Sequence, residues 1–353
     1  MRAFVGCRTT RERDARGEGL GVYQVDDAGN WVRTQLLPMV NPSFLAFGLG
    51  RQVLYTVHGD GSDITALRIG SGQVAMLNTQ PTGGRNPVHL AFDRTGQFLV
   101  VANYATGTVV TLPVAEDGSL QPVCSLLPLP GQPGPHRTDQ AASHPHQVLP
   151  SPDGRFLIVP DKGFDRCFAL TCDASTGELA IAGDMAARPG AGPRHGAFHP
   201  AVPILYLANE LDSSVTTCRL NSDGSLTALQ VLPTLPPDFF GASTVAAIVA
   251  TACGRFVHIS NRGHDSIASF AVEPGSYTLR PLSHTASLGS TPRFITLDPS
   301  GRTLIVANET SDCIIAFTGA AEGHLAPAGT LAATGSPVCI LFDADAPSRG
   351  TET

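Results

Sequence analysis

Six times in this chain an apolar stretch closes on a polar residue 16 positions after a turn. Asn41-Pro42 opens a segment that ends at His58, Asn86-Pro87 one that ends at Asn103, and His144-Pro145 one that ends at Asp161. Gly192-Pro193 runs to Asn209 and Thr291-Pro292 to Asn308, while Thr244-Val245 runs to Asn261 with the proline lost. A seventh anchor, Ser336-Pro337, starts Val338-Cys339-Ile340-Leu341-Phe342 and has no closing partner after it. A constant offset between a turn and a strand end is what an antiparallel hairpin imposes, because its register fixes how far apart the paired ends lie.

The anchors are spaced by 45, 58, 48, 52, 47 and 45 residues, the length of one four-stranded propeller blade. A second hairpin in most units turns on glycine, at Asp117-Gly118, Thr176-Gly177, Asp223-Gly224, Pro274-Gly275 and Glu322-Gly323, with Ala28-Gly29 near the N-terminus. The incomplete seventh copy predicts that strands near residues 3–6, 21–25 and 31–37 finish its blade and close the ring. The fold class expected is therefore all-β: a seven-bladed β-propeller of four-stranded antiparallel blades, one domain over residues 1–353, with one blade shared between the termini. The last few residues are expected to form a disordered tail. The competing arrangement, hairpins in two sandwich domains, explains neither the constant offset nor the complementary termini. The widest spacing marks a loop insertion over residues 128–142.

Composition agrees with a turn-rich β protein: 37 glycines, 28 prolines and only 15% charged residues. A net charge of −7 argues against nucleic acid or an anionic membrane as the main partner. The chain enters strand-like sequence without the apolar core of a signal peptide, and no apolar run is long enough to span a bilayer. Eight cysteines stand singly, which fits free thiols in a reducing cytoplasm. No cofactor or metal is expected: GxSxG, HExxH and a glycine-rich phosphate loop are all missing, and His144-Pro145-His146 alone has a spacing reminiscent of zinc ligands. A monomer or weak homo-oligomer is expected.

Inner strands line the channel of a propeller, so positions after each anchor and at each closing residue collect at one mouth. The first set is Ser43, Val88, His146, Arg194, Ala246, Arg293 and Val338; the second includes Asn103-Tyr104, Asp161-Lys162, Asn209-Glu210, Asn261-Arg262 and Asn308-Glu309. This composition fits an acid–base pocket for an anion. His146 is the candidate general base, with Arg194 and Glu210 beside it in the catalytic set. Arg262, Arg293, His195, Asn209, Asn103 and Lys162 are the candidate substrate-binding residues. Structural roles compete for some of these. Asn103 and Asn308 suit turn-fixing bonds to backbone, and His195 is evenly divided between the pocket and the blade interior. His89 and Cys339 share its position, and His199 falls at a turn where a surface role is favoured.

The candidate residues lie in Ala102-Asn103-Tyr104-Ala105-Thr106-Gly107, His144-Pro145-His146-Gln147, Pro160-Asp161-Lys162-Gly163-Phe164-Asp165-Arg166, Gly192-Pro193-Arg194-His195, Asn209-Glu210, Ser260-Asn261-Arg262-Gly263-His264-Asp265-Ser266 and Pro292-Arg293-Phe294. Through them the chain resembles the seven-bladed propeller lactonase family, over about residues 4–342. The family includes propeller-type 6-phosphogluconolactonases and fungal 3-carboxy-cis,cis-muconate lactonising enzymes. The resemblance implies a mouth pocket containing His146, Arg194, Glu210 and Arg262, with Arg293 close by. Its leading implication is hydrolysis of a sugar-acid lactone, 6-phosphogluconolactone first. The alternatives are a cycloisomerase or lyase acting on a carboxymuconate-type diacid, and a non-enzymatic binding propeller. One departure is Cys7-Arg8-Thr9-Thr10-Arg11-Glu12-Arg13-Asp14, which replaces a shorter polar turn; its three arginines could reach the mouth and alter substrate choice.

Overall fold

The computed structural model describes residues 1–344; the expected C-terminal tail lies outside them. Seven four-stranded antiparallel sheets form the ring. The repeat register is reproduced residue by residue, with Pro42 opposite His58, Pro87 opposite Asn103, Pro193 opposite Asn209, Val245 opposite Asn261 and Pro292 opposite Asn308. The 16-residue offset is thus the length of one inner hairpin.

The second and third strands of each blade are the most buried, and Phe98–Asn103 and Ile204–Asn209 are covered along their whole length. The outermost strands, such as Leu226–Pro233, are mostly exposed or half-buried instead. The core is correspondingly divided. Seven buried apolar clusters each join two neighbouring blades: Tyr55 with Leu99 and Val101, for example, or Tyr206 with Ile248 and Phe270. Each sheet is buried on both faces, so every blade depends on its neighbours.

The termini complete one blade. Strand Arg2–Cys7 pairs with Pro337–Phe342, Phe4 facing Leu341 and Val5 facing Ile340, and continues outward to Gly19–Val25 and Trp31–Pro38. Arg2 Nε meets Asp343 Oδ2 at 2.7 Å, fastening the first strand to the last.

The third blade departs from the simple repeat. Its inner strand shrinks to Leu149–Pro150, with a single bridge between Pro145 and Asp161. Pro160 has no N–H to give the ladder at this point. The buried Asp161 carboxylate takes over, accepting from the backbone N–H groups of His144 and Gly163, both at 2.8 Å, and from the Ser143 hydroxyl. The insertion begins after residue 128, because Ser125–Pro128 is itself the outer strand of the second blade. Gln140, fully buried, anchors the insertion by donating to Lys162 O at 2.8 Å and Asp165 Oδ1 at 2.7 Å. His199 is buried rather than on the surface: its ring lies 5.1 Å from Tyr277 and packs against Gly254 of the next blade.

Ring closure makes a test possible at the fourth residue of the chain. Phe4 is fully buried, so Phe4→Ala is expected to cost about 3–5 kcal/mol in urea denaturation. A cost within about 0.5 kcal/mol, typical of a frayed terminus or surface position, would contradict the closed blade.

Candidate active site

A bulge follows the anchor in the inner strand. Pairing passes from Pro193–Asn209 directly to His195–Ala208, from Pro292–Asn308 to Phe294–Ala307, and from Pro42–His58 to Phe44–Val57. The residue left out is Arg194, Arg293 or Ser43, and Val88 and Val338 are skipped in the same way. A bulge leaves its extra residue unpaired and turns its side chain away from the regular pleat. Here the extra residues converge on the channel mouth.

They line a small cavity with His146, His195, Arg8, Phe44 and Phe294. Its interior of about 20 Å³ is room for roughly one water. A larger cavity of about 500 Å³ lies at the opposite end of the channel, lined mainly by apolar residues such as Phe198, Ile248 and Leu341, and does not contain these groups.

Glu210 organises one side of the mouth. Its Oε2 lies 2.8 Å from Arg194 Nε and 3.3 Å from Arg262, and its Oε1 lies 3.2 Å from Lys162 Nζ. The Arg194 Nε–H is not aligned for a hydrogen bond along its short approach. The fifth blade holds both guanidiniums from behind, Ala246 O accepting from Arg194 and Val245 O from Arg262 at 2.9 Å. Lys162 also reaches Asp139 of the insertion at 3.1 Å and lies over the Tyr104 ring. Burial alone would raise the Glu210 pKa, but Arg262, Arg194, Lys162 and Arg293 together hold it well below the usual carboxylate range.

The opposite side is built on Asp60, which meets Arg8 at 2.7 Å and Arg13 through both oxygens, at 2.5 and 2.9 Å. Arg293 faces Glu309 at 3.5 Å. Each side therefore sets three cations against two carboxylates, leaving one positive charge in excess at each.

His146 sits among these cations. Burial, and then Arg194, Arg293 and Lys162, depress its pKa well below 6.5, so it is neutral at physiological pH. Its Nδ1 is buried without a partner, leaving Nε2 to meet a reactant. His195 is depressed for the same reasons, burial first and then Arg194. The His195 ring is 5.2 Å from that of His146, which places it in the pocket rather than in the blade interior. Beneath, His89 stacks 3.9 Å from Phe44, and burial pushes its pKa down to about 3.

Of the residues expected at the site, His146, Arg194, His195 and Arg293 line the cavity, and Glu210, Arg262 and Lys162 form the adjoining ion cluster. Asn103 and Asn209 are turned into their own blades. The Asn103 amide donates to Thr82 O at 3.1 Å, and that of Asn209 to Ser214 and Thr216, both at 2.9 Å. Asn308 makes the corresponding bond to Ser287 O, so this position ties down the turn. Cys339 is buried between blades. His144 stacks on Tyr104, with ring centres 4.4 Å apart, and its Nδ1 donates to Tyr104 O. Sequence reasoning missed Asp60 and Asp139, which lie on loops outside the repeat positions; the signals were the arginine-rich segment Arg8–Arg13, which meets Asp60, and the insertion, which carries Asp139.

A ring of seven blades with a buried, cation-rich pocket at one mouth is a small-molecule site on a propeller scaffold. The sequence model described as "Lactonase, 7-bladed beta-propeller" matches residues 2–342, and the chain belongs to that family. As a lactonase it is an enzyme. It is 35% identical over 308 residues to the 6-phosphogluconolactonase of Bacillus subtilis (strain 168), covering 86% of this chain and 87% of that protein. It is 31% identical over 333 residues to the 6-phosphogluconolactonase of Formosa agariphila, covering 89% and 91%. Among solved structures, the periplasmic gluconolactonase of Pseudomonas aeruginosa superposes with a TM-score of 0.89 at 30% identity, over 97% of this chain and 99% of that one. Among the described residues no helix is long and apolar enough to cross a membrane.

The buried histidines give the fold an acid-side weakness. A depressed folded pKa means that stability is intact above 6.5, the unfolded value, and is lost as pH falls toward about 3 for His89. The unfolding free energy should decline progressively from pH 6.5 to pH 4, and His89→Leu should reduce that decline by on the order of a few kcal/mol. Identical slopes for the two proteins would show that His89 is not the group being protonated.

Proposed function

We propose that the protein hydrolyses a sugar-acid lactone, with 6-phosphogluconolactone or a related aldonolactone as substrate. The observation that carries this reading is a neutral, buried histidine, His146, facing one cavity with Arg194 and Arg293. A base must be unprotonated to act, and an ester carbonyl under attack needs fixed positive charge near its oxygen.

In the proposed reaction His146 Nε2 takes a proton from water as the water oxygen bonds to the lactone carbonyl carbon. The carbonyl electrons move to oxygen, where the Arg194 guanidinium stabilises the oxyanion. When the intermediate collapses, the bond from carbonyl carbon to ring oxygen breaks, and the imidazolium returns its proton to the departing alkoxide. Glu210 stays ionised and keeps Arg194, Arg262 and Lys162 in place. Arg262, Arg293 and His195 contact the substrate. A bound anion also offsets the cations around His146 and makes it a stronger base. The eight free thiols fit a cytoplasmic location.

The two separate cation groups favour one further reading, a cycloisomerase or lyase clamping a diacid at both carboxylates. Reactions in labelled water separate the two. Oxygen-18 in the product acid supports hydrolysis, whereas deuterium at carbon supports the lyase. For the lactonase, His146→Ala should lower kcat on aldonolactones by about 10²–10⁴ with the fold retained. A wild-type protein that leaves 6-phosphogluconolactone and gluconolactone at their spontaneous rates would end the proposal.

A further inference from the structure

The N-terminal segment brings to the mouth a guanidinium that the repeat does not supply. Arg8 leaves the shared blade just after Cys7, its backbone N–H donating to Ser336 O at 2.9 Å. Its side chain is only 4% exposed. It passes over the Gly59 backbone, where an added Cβ would stand 2.9 Å from Arg8 Nη1 and 2.7 Å from Ser43 Oγ. The turn at Gly59 is bare where the guanidinium crosses it. Arg8 then meets Asp60, but Asp60 is already held by both nitrogens of the Arg13 fork. Arg8 Nε is left buried and without a partner. From the adjoining blade Arg293 lines the same cavity, and among the described residues its ion pair is the 3.5 Å approach to Glu309.

A cluster that served folding alone would match its charges, because a buried unmatched cation is costly. This one places three guanidiniums against two carboxylates and turns the surplus toward a cavity. It shares no carboxylate with the Glu210 cluster. Resting on the lactonase reading, we infer that Arg8 and Arg293 form a second anion subsite, which takes an oxyanion remote from the lactone carbonyl. The group it fits is a phosphate monoester or a second carboxylate, met by two neighbouring guanidiniums on the same side of the mouth. Arg8 is thereby a specificity-determining residue, and the lactone itself is left to His146 and the Glu210 cluster.

The test is calorimetric titration of wild type, Arg8→Met and Arg8→Lys with gluconate, 6-phosphogluconate, glucarate and inorganic phosphate. Methionine keeps the buried stem and lysine keeps the charge without the fork, so at least one should fold. The preference for 6-phosphogluconate or glucarate over gluconate should fall about tenfold or more in Arg8→Met and less in Arg8→Lys. Whichever of the two ligands loses more identifies the native oxyanion. An unchanged preference in both variants, or an equal loss for every ligand, overturns the subsite. Hydrolysis assays on the same samples keep the two ideas apart. A wild type inert toward lactones that still binds phosphate through Arg8 removes the lactonase reading and retains the subsite. An active enzyme whose preference ignores Arg8 does the reverse.

Discussion

The pocket depends on one carboxylate held by three cations. Without Glu210, Arg194, Arg262 and Lys162 would repel one another inside a mouth with little solvent to screen them. With it they stand at fixed positions, yet their charge is not fully cancelled. Burial, reinforced by that residue of positive charge, keeps His146 neutral, and the proposed substrate anion would offset the charge. In the proposed reaction one network thus serves three purposes: it orders the guanidiniums, readies His146 as the base and attracts the substrate. The protein carries a net charge of −7, so the attraction is local to the mouth.

The scaffold explains how such a network can be held. Each blade contributes one inner strand, and the bulge after its anchor turns one side chain into the channel. Arg194 and Arg293 come from different blades and are fixed by backbones that cannot move independently, because every inter-blade layer is packed with apolar side chains. Ring closure by the terminal blade extends that rigidity around the circle and also delivers Arg8 to the mouth. Stability and site geometry therefore share a cause.

Much of this was legible in the sequence, because a strand register leaves a mark in sequence spacing. The offset from Pro193 to Asn209 is the hairpin, and counting blades from it located His146, Arg194, Glu210, Arg262 and Arg293 on one mouth. The same counting offered Asn103 and Asn209 as substrate contacts, whereas their amides donate within their own blades, since counting gives a residue's height in the channel but not the direction of its side chain. The bulge, which decides that direction, has no sequence signature beyond the repeat itself. Asp60 and Asp139 were invisible for another reason. Their partners, Arg8, Arg13 and Lys162, are distant in sequence and are brought close by an irregular segment and an insertion.

The central claim is that burial, together with crowded cations, keeps His146 neutral until an anion arrives. Nitrogen-15 NMR of imidazole-labelled protein, read with and without 6-phosphogluconate, tests it directly, with a His146→Gln sample to assign the resonance. The account predicts a neutral ring at pH 6 in the free protein, and a protonation midpoint that moves upward when the anion binds. A His146 already protonated at pH 6 without ligand, or a midpoint indifferent to 6-phosphogluconate, would contradict it.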